Sequence, residues 1–243
     1  MSRFFTEPEN ISDKYIYITD ADDIHHIKKV LRLKPGDTVE ISDGQKWEYE
    51  GAIEEITAIE VTLRITDKQS FARELETRVT LFQGIPKAGK MDLIVQKCVE
   101  LGIDSIVPVF MERTVVNDNG KIGKKTERWQ KISDEACKQC RRGIVPGIAD
   151  AVNHSEMMNM LKDFDLVLFP YENETGRTIK DALRTLKDKP ETVAIVIGPE
   201  GGFSDSEADD LRKYECVRLG KTILRTETAG IAALAMTMYE LEL

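Results

Sequence analysis

The sequence predicts an α/β protein in two parts: a small β-rich domain over residues 1–72 and an α/β domain with a mainly parallel sheet over residues 73–243. Three observations carry this expectation. The first seventy or so residues hold several short strand-like runs and one helical pattern. Beyond residue 77, apolar strand-like runs alternate with helical patterns, which calls for crossover connections and a parallel sheet. Two late strand-like runs break at glycine and enter helices, and open α/β sheets bind ligands at such strand ends.

In the N-terminal part, Tyr15-Ile16-Tyr17-Ile18 is a short apolar strand. Asp22 to Leu31 fits a helix with Ile24, Ile27, Val30 and Leu31 on one face. Lys34-Pro35-Gly36-Asp37 is a turn, and Thr38 to Ser42 is a strand ending at the Asp43-Gly44 turn. Trp47 to Glu54 and Ile59 to Ile65 add two alternating runs, and together these elements make a small barrel. The polar stretch Lys68 to Glu76 is read as a short connection between the domains.

In the second part, Val79 to Phe82 is the first strand and Pro86 suits a helix entry. Met91, Ile94, Val95, Cys98 and Leu101 form an apolar stripe that Gly102 stops. Ile106 to Phe110 is a strand, Met111 to Lys125 a loop, and Glu127 to Arg142 a charged helix. Helical pieces follow at Ser155 to Leu161 and Thr178 to Leu186, with strands at Asp165 to Glu172 and Thr192 to Ile197. Ser204-Asp205-Ser206-Glu207 has the form of a capping box. The last strand is placed in Val217-Arg218-Leu219. The final helix carries Ile231, Leu234, Ala235, Met238 and Leu241 on a stripe that suits either a core face or a close helix–helix dimer seam.

Composition narrows the class. Hydrophobic residues make up 41% of the chain, ample for a core, and no run approaches the ~18 apolar residues of a membrane span. The N-terminus lacks the apolar stretch of a signal peptide, so a cytoplasmic protein is expected. The net charge of -9 excludes a globally basic nucleic-acid binder. Two segments, His25 to Lys34 and Lys121 to Arg142, are locally basic, as a solvated face or as an RNA surface. Cys137-Lys138-Gln139-Cys140 is formally C-x-x-C. With no second pair and no histidine cluster it is expected to be structural, and no metal site is expected.

The chemistry sits in two stretches, Ile197-Gly198-Pro199-Glu200-Gly201-Gly202-Phe203-Ser204 and Leu219-Gly220-Lys221-Thr222-Ile223-Leu224-Arg225-Thr226-Glu227-Thr228-Ala229. Neither is a dinucleotide fingerprint or a P-loop, which removes the nicotinamide oxidoreductase reading. Together they resemble the SPOUT RNA methyltransferases, and most of all the branch that makes N3-methyluridine in small-subunit (16S) ribosomal RNA. The resemblance implies S-adenosylmethionine as methyl donor, a C-terminal trefoil knot and a homodimer with the cofactor pocket at its interface. It also implies a PUA-like N-terminal RNA-binding domain, through H-H-I-x-x-V-L-R-x-x-x-G-D at residues 25–37.

Carried over residue by residue, the implied cofactor slot consists of Gly198, Pro199, Glu200, Gly201, Leu219, Gly220, Ile223, Leu224, Thr228 and Ala229, with Phe169 and Pro170 as a third wall. Arg32 becomes a candidate RNA contact. His26 is either a contact or a structural histidine. Lys87 enters through P-K-x-x-K-M-D, and Gln139 and Arg142 through the charged helix, where guanidinium pairs well with phosphate. Transfer to a weakly acidic ring N–H leaves charge on the flanking carbonyls, and a cation there lowers the barrier. Arg225 is the candidate, its other reading being an ion pair with Glu227 or Glu200. Glu200 and Glu227 are candidate bases or orienters, and Glu227 also suits a helix N-terminus. A second reading of the chain is a non-catalytic, ribosome-associated RNA-binding protein with a degenerate pocket.

Overall fold

The computed structural model describes residues 2–70, 74, 76–116 and 120–241. Phe71, Ala72, Arg73 and Leu75 of the expected connection, and Asn117, Asp118 and Asn119 of the expected loop, lie outside them. By contacts the chain forms two units: residues 1–74 with 137–145, and residues 75–136 with 146–243.

In the first unit, strands β1 (Arg3–Phe5), β2 (Tyr15–Ile18), β3 (Thr38–Ser42), β4 (Trp47–Ile56) and β5 (Val61–Ser70) form one sheet in the order β1-β3-β4-β5-β2. β1 and β3 are parallel and the other pairs antiparallel. Alternating residues such as Ile16, Ile18, Val39, Ile41 and Leu63 turn inward to a core shared with Phe4 and Ile27. The Thr6 hydroxyl donates to Tyr17 O (3.2 Å), which brings the chain after one edge strand to the other edge strand and curls the sheet toward a barrel. At the expected Asp-Gly turn, the Asp43 carboxylate accepts the N–H groups of Gln45, Lys46 and Trp47 (2.9, 2.8 and 2.8 Å).

Two expectations are corrected here. The helix of residues 22–31 is a short α-helix, α1 (Ala21–His25), that widens into a π-turn over His26–Val30. Leu31 N–H bonds to His26 O, five residues back (2.9 Å). The wider turn rotates the stripe, so Ile24 and Ile27 are buried while Val30 is 60% exposed. Ile59 belongs to a turn built on Thr57, whose Oγ1 accepts from Ile59 and Glu60 (3.3 and 2.9 Å), and Lys68 to Ser70 extend β5.

Residues 137–145 complete this unit through polar contacts. The Arg3 guanidinium donates to Arg141 O and Arg142 O (2.6 and 2.7 Å) and pairs with Glu48 (2.8 Å). Glu74 pairs with Arg142 (2.8 Å) and accepts from Gly143 N and Ile144 N (2.8 and 3.1 Å).

The second unit holds β6 (Arg78–Gly84), β7 (Ser105–Phe110), β8 (Gly147–Ile148), β9 (Val152–Asn153), β10 (Leu166–Pro170), β11 (Thr192–Ile197) and β12 (Glu215–Val217). They form a parallel sheet in the order β12-β10-β11-β6-β7-β8, with β9 also on β7. The central strands are buried on both faces, as the apolar runs predict. On one face Phe82, Val107, Phe169, Ala194 and Val196 meet α4 (His154–Met160) and α6 (Asp205–Leu211). On the other lies α7 (Thr226–Glu240), beside α2 (Lys90–Glu100) and α5 (Ile179–Arg184).

Helix α3 spans Ile122–Cys140, so residues 122–125 are helical rather than loop. It ends with Arg141 in the left-handed region (φ 60°) and Arg142 N–H on Cys137 O (3.3 Å), a Schellman closure without glycine. β12 stops at Val217, leaving Leu219 and Gly220 in a loop rather than a strand.

Candidate active site

The C-terminal ends of β10, β11 and β12 lead into three loops that, with the start of α7, enclose a cavity of about 490 Å³. Its walls include Pro170 and Tyr171 after β10, Gly198, Pro199, Glu200 and Gly201 after β11, and Leu219, Gly220, Ile223, Leu224 and Arg225 after β12. Ala229 closes the side formed by α7 and Lys90 reaches in from α2. Two segments separated by some twenty residues are thus brought to one site because β10 lies between β11 and β12 in the sheet.

Two predicted wall residues stand elsewhere. Phe169 is fully buried behind the wall, stacked on Tyr171 (5.2 Å between centroids) and edge-on to Phe203 (4.9 Å). Strand alternation turns Pro170 away from the Phe169 side, and Tyr171, the first residue beyond the strand, covers Phe169 and lines the cavity. Thr228 is exposed on α7 and not among the lining residues.

The loop after β11 is held by a buried polar network. Thr226 Oγ1 donates to Gly198 O (2.6 Å) and accepts from Gln83 Nε2 (2.9 Å), which also donates to Gly84 O (3.0 Å). Gly84 lies against the same loop: a Cβ there would stand 2.5 Å from Pro199 N, so no side chain fits. Downstream, the expected capping box is present. Glu207 accepts from Ser204 N (2.9 Å), Ser204 Oγ accepts from Glu207 N (3.4 Å), and Glu207 also takes Glu112 N–H (2.8 Å).

Electrostatically the site centres on a lysine that motif reading did not single out. Lys90 Nζ lies 2.9 Å from Glu200 and 3.2 Å from Glu227. Glu200 further accepts Lys87 N–H with both oxygens (3.0 and 3.2 Å). Desolvation pushes the Glu200 carboxyl up, but the hydrogen bonds from Lys90 and from backbone N–H groups outweigh it and hold it below its usual range. Glu227 is likewise lowered: its own backbone N–H and Lys90 overcome desolvation. Both carboxylates are thereby favoured in their ionised form, and both meet α2 through Lys90. Arg225, the N-cap residue of α7, is exposed at the cavity and forms no ion pair or hydrogen bond through its guanidinium among the described residues. Its expected partners are taken by Lys90.

The predicted RNA contacts fall into three groups. Arg32 is exposed in the first unit with a left-handed backbone (φ 54°). Lys87 and Gln139 are also exposed. Arg142 is corrected: it is 8% exposed and its guanidinium is bound to Glu74, so it is an internal anchor and not a surface cation. Cys137 is buried with its thiol pushed up to about 12, donating to Ile144 O (3.3 Å), and the Cys140 thiol donates to Cys137 O (3.7 Å). Sequence patterns carried no signal for Gln83 or Tyr171. Lys90 stood inside a matched motif, but its partners are distant in sequence.

Two family models match the chain, an RNA methyltransferase PUA domain over residues 18–66 and an RNA methyltransferase domain over residues 73–238. The ribosomal RNA small subunit methyltransferase E of Bacillus subtilis is 32% identical, over 100% of this chain and 98% of that protein. Its namesake from Buchnera aphidicola subsp. Schizaphis graminum is 36% identical over 86% and 85%. A crystal structure of the Neisseria gonorrhoeae enzyme of the same name, bound to S-adenosyl methionine, has a TM-score of 0.84 at 28% identity, covering 98% of this chain and 97% of that one. Sequence and structure agree over the whole length: the chain belongs to the ribosomal RNA small subunit methyltransferase E family.

Proposed function

We propose that this chain transfers a methyl group from S-adenosylmethionine to N3 of a uridine in small-subunit ribosomal RNA. The observation that carries the reading is the cavity at three parallel-strand ends with Arg225, unpaired among the described residues, at its side. Its volume lies within the roughly 300–1,000 Å³ of small-molecule pockets. The residues present fit the cofactor. Leu219, Ile223, Leu224, Pro170 and Pro199 give apolar walls for an adenosyl group. A Cβ at Gly220 would meet nothing within 4 Å, so the backbone there is open to close approach.

When bound, S-adenosylmethionine supplies an electrophilic methyl group. The chain orients the acceptor and stabilises charge where it develops. Arg225 faces a uracil carbonyl as the N3 proton passes to solvent water, which the weak acidity of that N–H allows. Glu200 and Glu227, fixed by Lys90, hold the loops and remain ionised. A non-catalytic RNA-binding protein would need neither the open wall at Gly220 nor an unpaired cation beside it.

The assembly is read as a homodimer that binds RNA, with Arg32, Lys87 and Gln139 as contacts and the C-terminal segment threaded as a trefoil knot. Family membership supports this, as do the exposed apolar side chains of Leu93, Met236 and Tyr239 on α2 and α7. No helix among the described residues is long and apolar enough to cross a membrane, and a cytoplasmic location fits a ribosomal substrate. The direct test incubates the protein with methyl-labelled S-adenosylmethionine and small ribosomal subunits, then identifies the modified nucleoside by mass spectrometry. N3-methyluridine is expected; label on any other base or position would remove the reading.

A further inference from the structure

Lys90 occupies the first turn of α2, where a helix surface normally carries solvated charge. Here its ammonium is shared between two carboxylates from different loops, at 2.9 Å from Glu200 and 3.2 Å from Glu227. Those carboxylates are only 23% and 14% exposed, against 31% for Lys90. Glu227 follows Arg225 by two positions in the chain, and the Arg225 charge acts on it. A guanidinium beside two partly desolvated carboxylates would ordinarily form a bidentate pair with one of them. Arg225 makes no such pair among the described residues; the cation that both carboxylates meet is Lys90.

We propose that Lys90 is a positioning residue for methyl transfer: by holding Glu200 and Glu227 it keeps both carboxylates off Arg225 and leaves that guanidinium for the acceptor base. The proposal rests on the function given above. In this role Lys90 acts through the two carboxylates and not on a reacting atom. Its effect is to decide which cation the two carboxylates take. Without it, the cluster keeps two negative charges and Arg225 is the cation already at the same wall of the cavity. An arginine captured in this way presents its N–H groups to carboxylate, and the uracil carbonyl loses its donor.

Four proteins test this: wild type, Lys90→Arg, Lys90→Met, and Lys90→Met combined with Glu200→Gln and Glu227→Gln. Single-turnover rates at saturating cofactor and RNA are measured beside cofactor affinity by calorimetry. Lys90→Met is expected to lose ~10-fold or more in rate while cofactor affinity changes by no more than about 3-fold, the split of a transition-state effect. Lys90→Arg should keep most of the rate. The triple variant should be faster than Lys90→Met, because no carboxylate remains to capture Arg225, and slower than wild type, because Glu200 also holds its loop through the Lys87 N–H. A triple variant no faster than Lys90→Met would overturn the proposal, as would wild-type turnover by Lys90→Met.

A second readout does not depend on turnover. Phenylglyoxal labelling, mapped by mass spectrometry to the Arg225 peptide, should be strong in wild type, weak in Lys90→Met and strong again in the triple variant. Equal labelling in all three would also overturn it. If the wild type transfers no methyl group, the proposed function fails, and the labelling series still decides whether Lys90 governs the pairing of Arg225.

Discussion

Arg225 and Glu227 are two positions apart, yet one is exposed and without an ion pair among the described residues and the other is held by Lys90. This difference decides what each can do. A guanidinium with no internal partner costs nothing to redirect toward a substrate oxygen, whereas a carboxylate paired with Lys90 would first have to leave it. Arg225→Ala is therefore expected to lose ~10²-fold or more in single-turnover rate, the scale of one oxyanion-type donor, with cofactor affinity nearly intact. Near-normal turnover at saturating cofactor would take Arg225 out of the mechanism. The glycines separate in the same way. A Cβ at Gly198 would lie 3.1 Å from the Phe203 ring and 3.3 Å from the Gly202 backbone, so a side chain there disturbs the loop itself. Gly220 meets nothing, so Gly220→Val should fold normally and fill cavity space. Its cofactor affinity is expected to fall ~10-fold or more, about 1.4 kcal/mol, measured by calorimetry beside a thermal melt. An unchanged affinity in the folded variant would count against this cavity as the cofactor site.

Elements were legible where local chemistry fixes them, and illegible where a distant contact does. The capping box that starts α6 needs only residues 204–207, and the structure has it as the spacing predicts. The stop of α2 at Gly102 (φ 96°) is equally local. The π-turn after α1 and the end of β12 at Val217 were not legible, because apolar spacing cannot register one widened turn or tell a last strand residue from the first of a loop. Lys90 and Gln83 were invisible for another reason: their partners lie 110 and 143 positions away. The start of α7 shows what such contacts do for the site. Thr226 joins Gln83 at the end of β6 to Gly198 in the loop after β11, and its hydroxyl both donates and accepts. Thr226→Val keeps the shape, takes the hydroxyl donor from Gly198 O and leaves Gln83 Nε2 with Gly84 O as its remaining acceptor, a cost of about 1–3 kcal/mol. Chemical denaturation should show that loss with weaker cofactor binding, and Thr226→Ser should restore both. A stable Thr226→Val protein with unchanged affinity would mean that the network does not hold the loop.

For the molecule as a whole, a net charge of -9 makes the placement of each exposed cation matter more than their number. Sequence patterns rank Arg32 and Arg142 alike, since both lie in basic segments. The fold separates them. Arg142 follows the left-handed residue that closes α3, where its side chain turns inward and pairs with Glu74 at 2.8 Å. Glu74 in turn accepts two backbone N–H groups of residues 143 and 144. That one carboxylate thus gathers the segment 142–144 in the first unit, a role that no apolar period announces. Arg32 is exposed, and its left-handed backbone is a conformation that arginine rarely adopts without a reason. Alanine at each position should therefore fail differently. Arg142→Ala leaves the half-buried Glu74 carboxylate without its cation and should cost about 3 kcal/mol in unfolding free energy, while the salt dependence of RNA binding by the folded protein is unchanged. Arg32→Ala should leave stability within about 0.5 kcal/mol of wild type. It should lower RNA affinity and make the plot of log affinity against log salt shallower by about one counterion. Fluorescence titration of RNA at several salt concentrations, paired with urea melts, reads both quantities. If Arg142→Ala made the salt slope shallower and left stability untouched, its guanidinium would be a phosphate contact after all and the Glu74 pair only incidental.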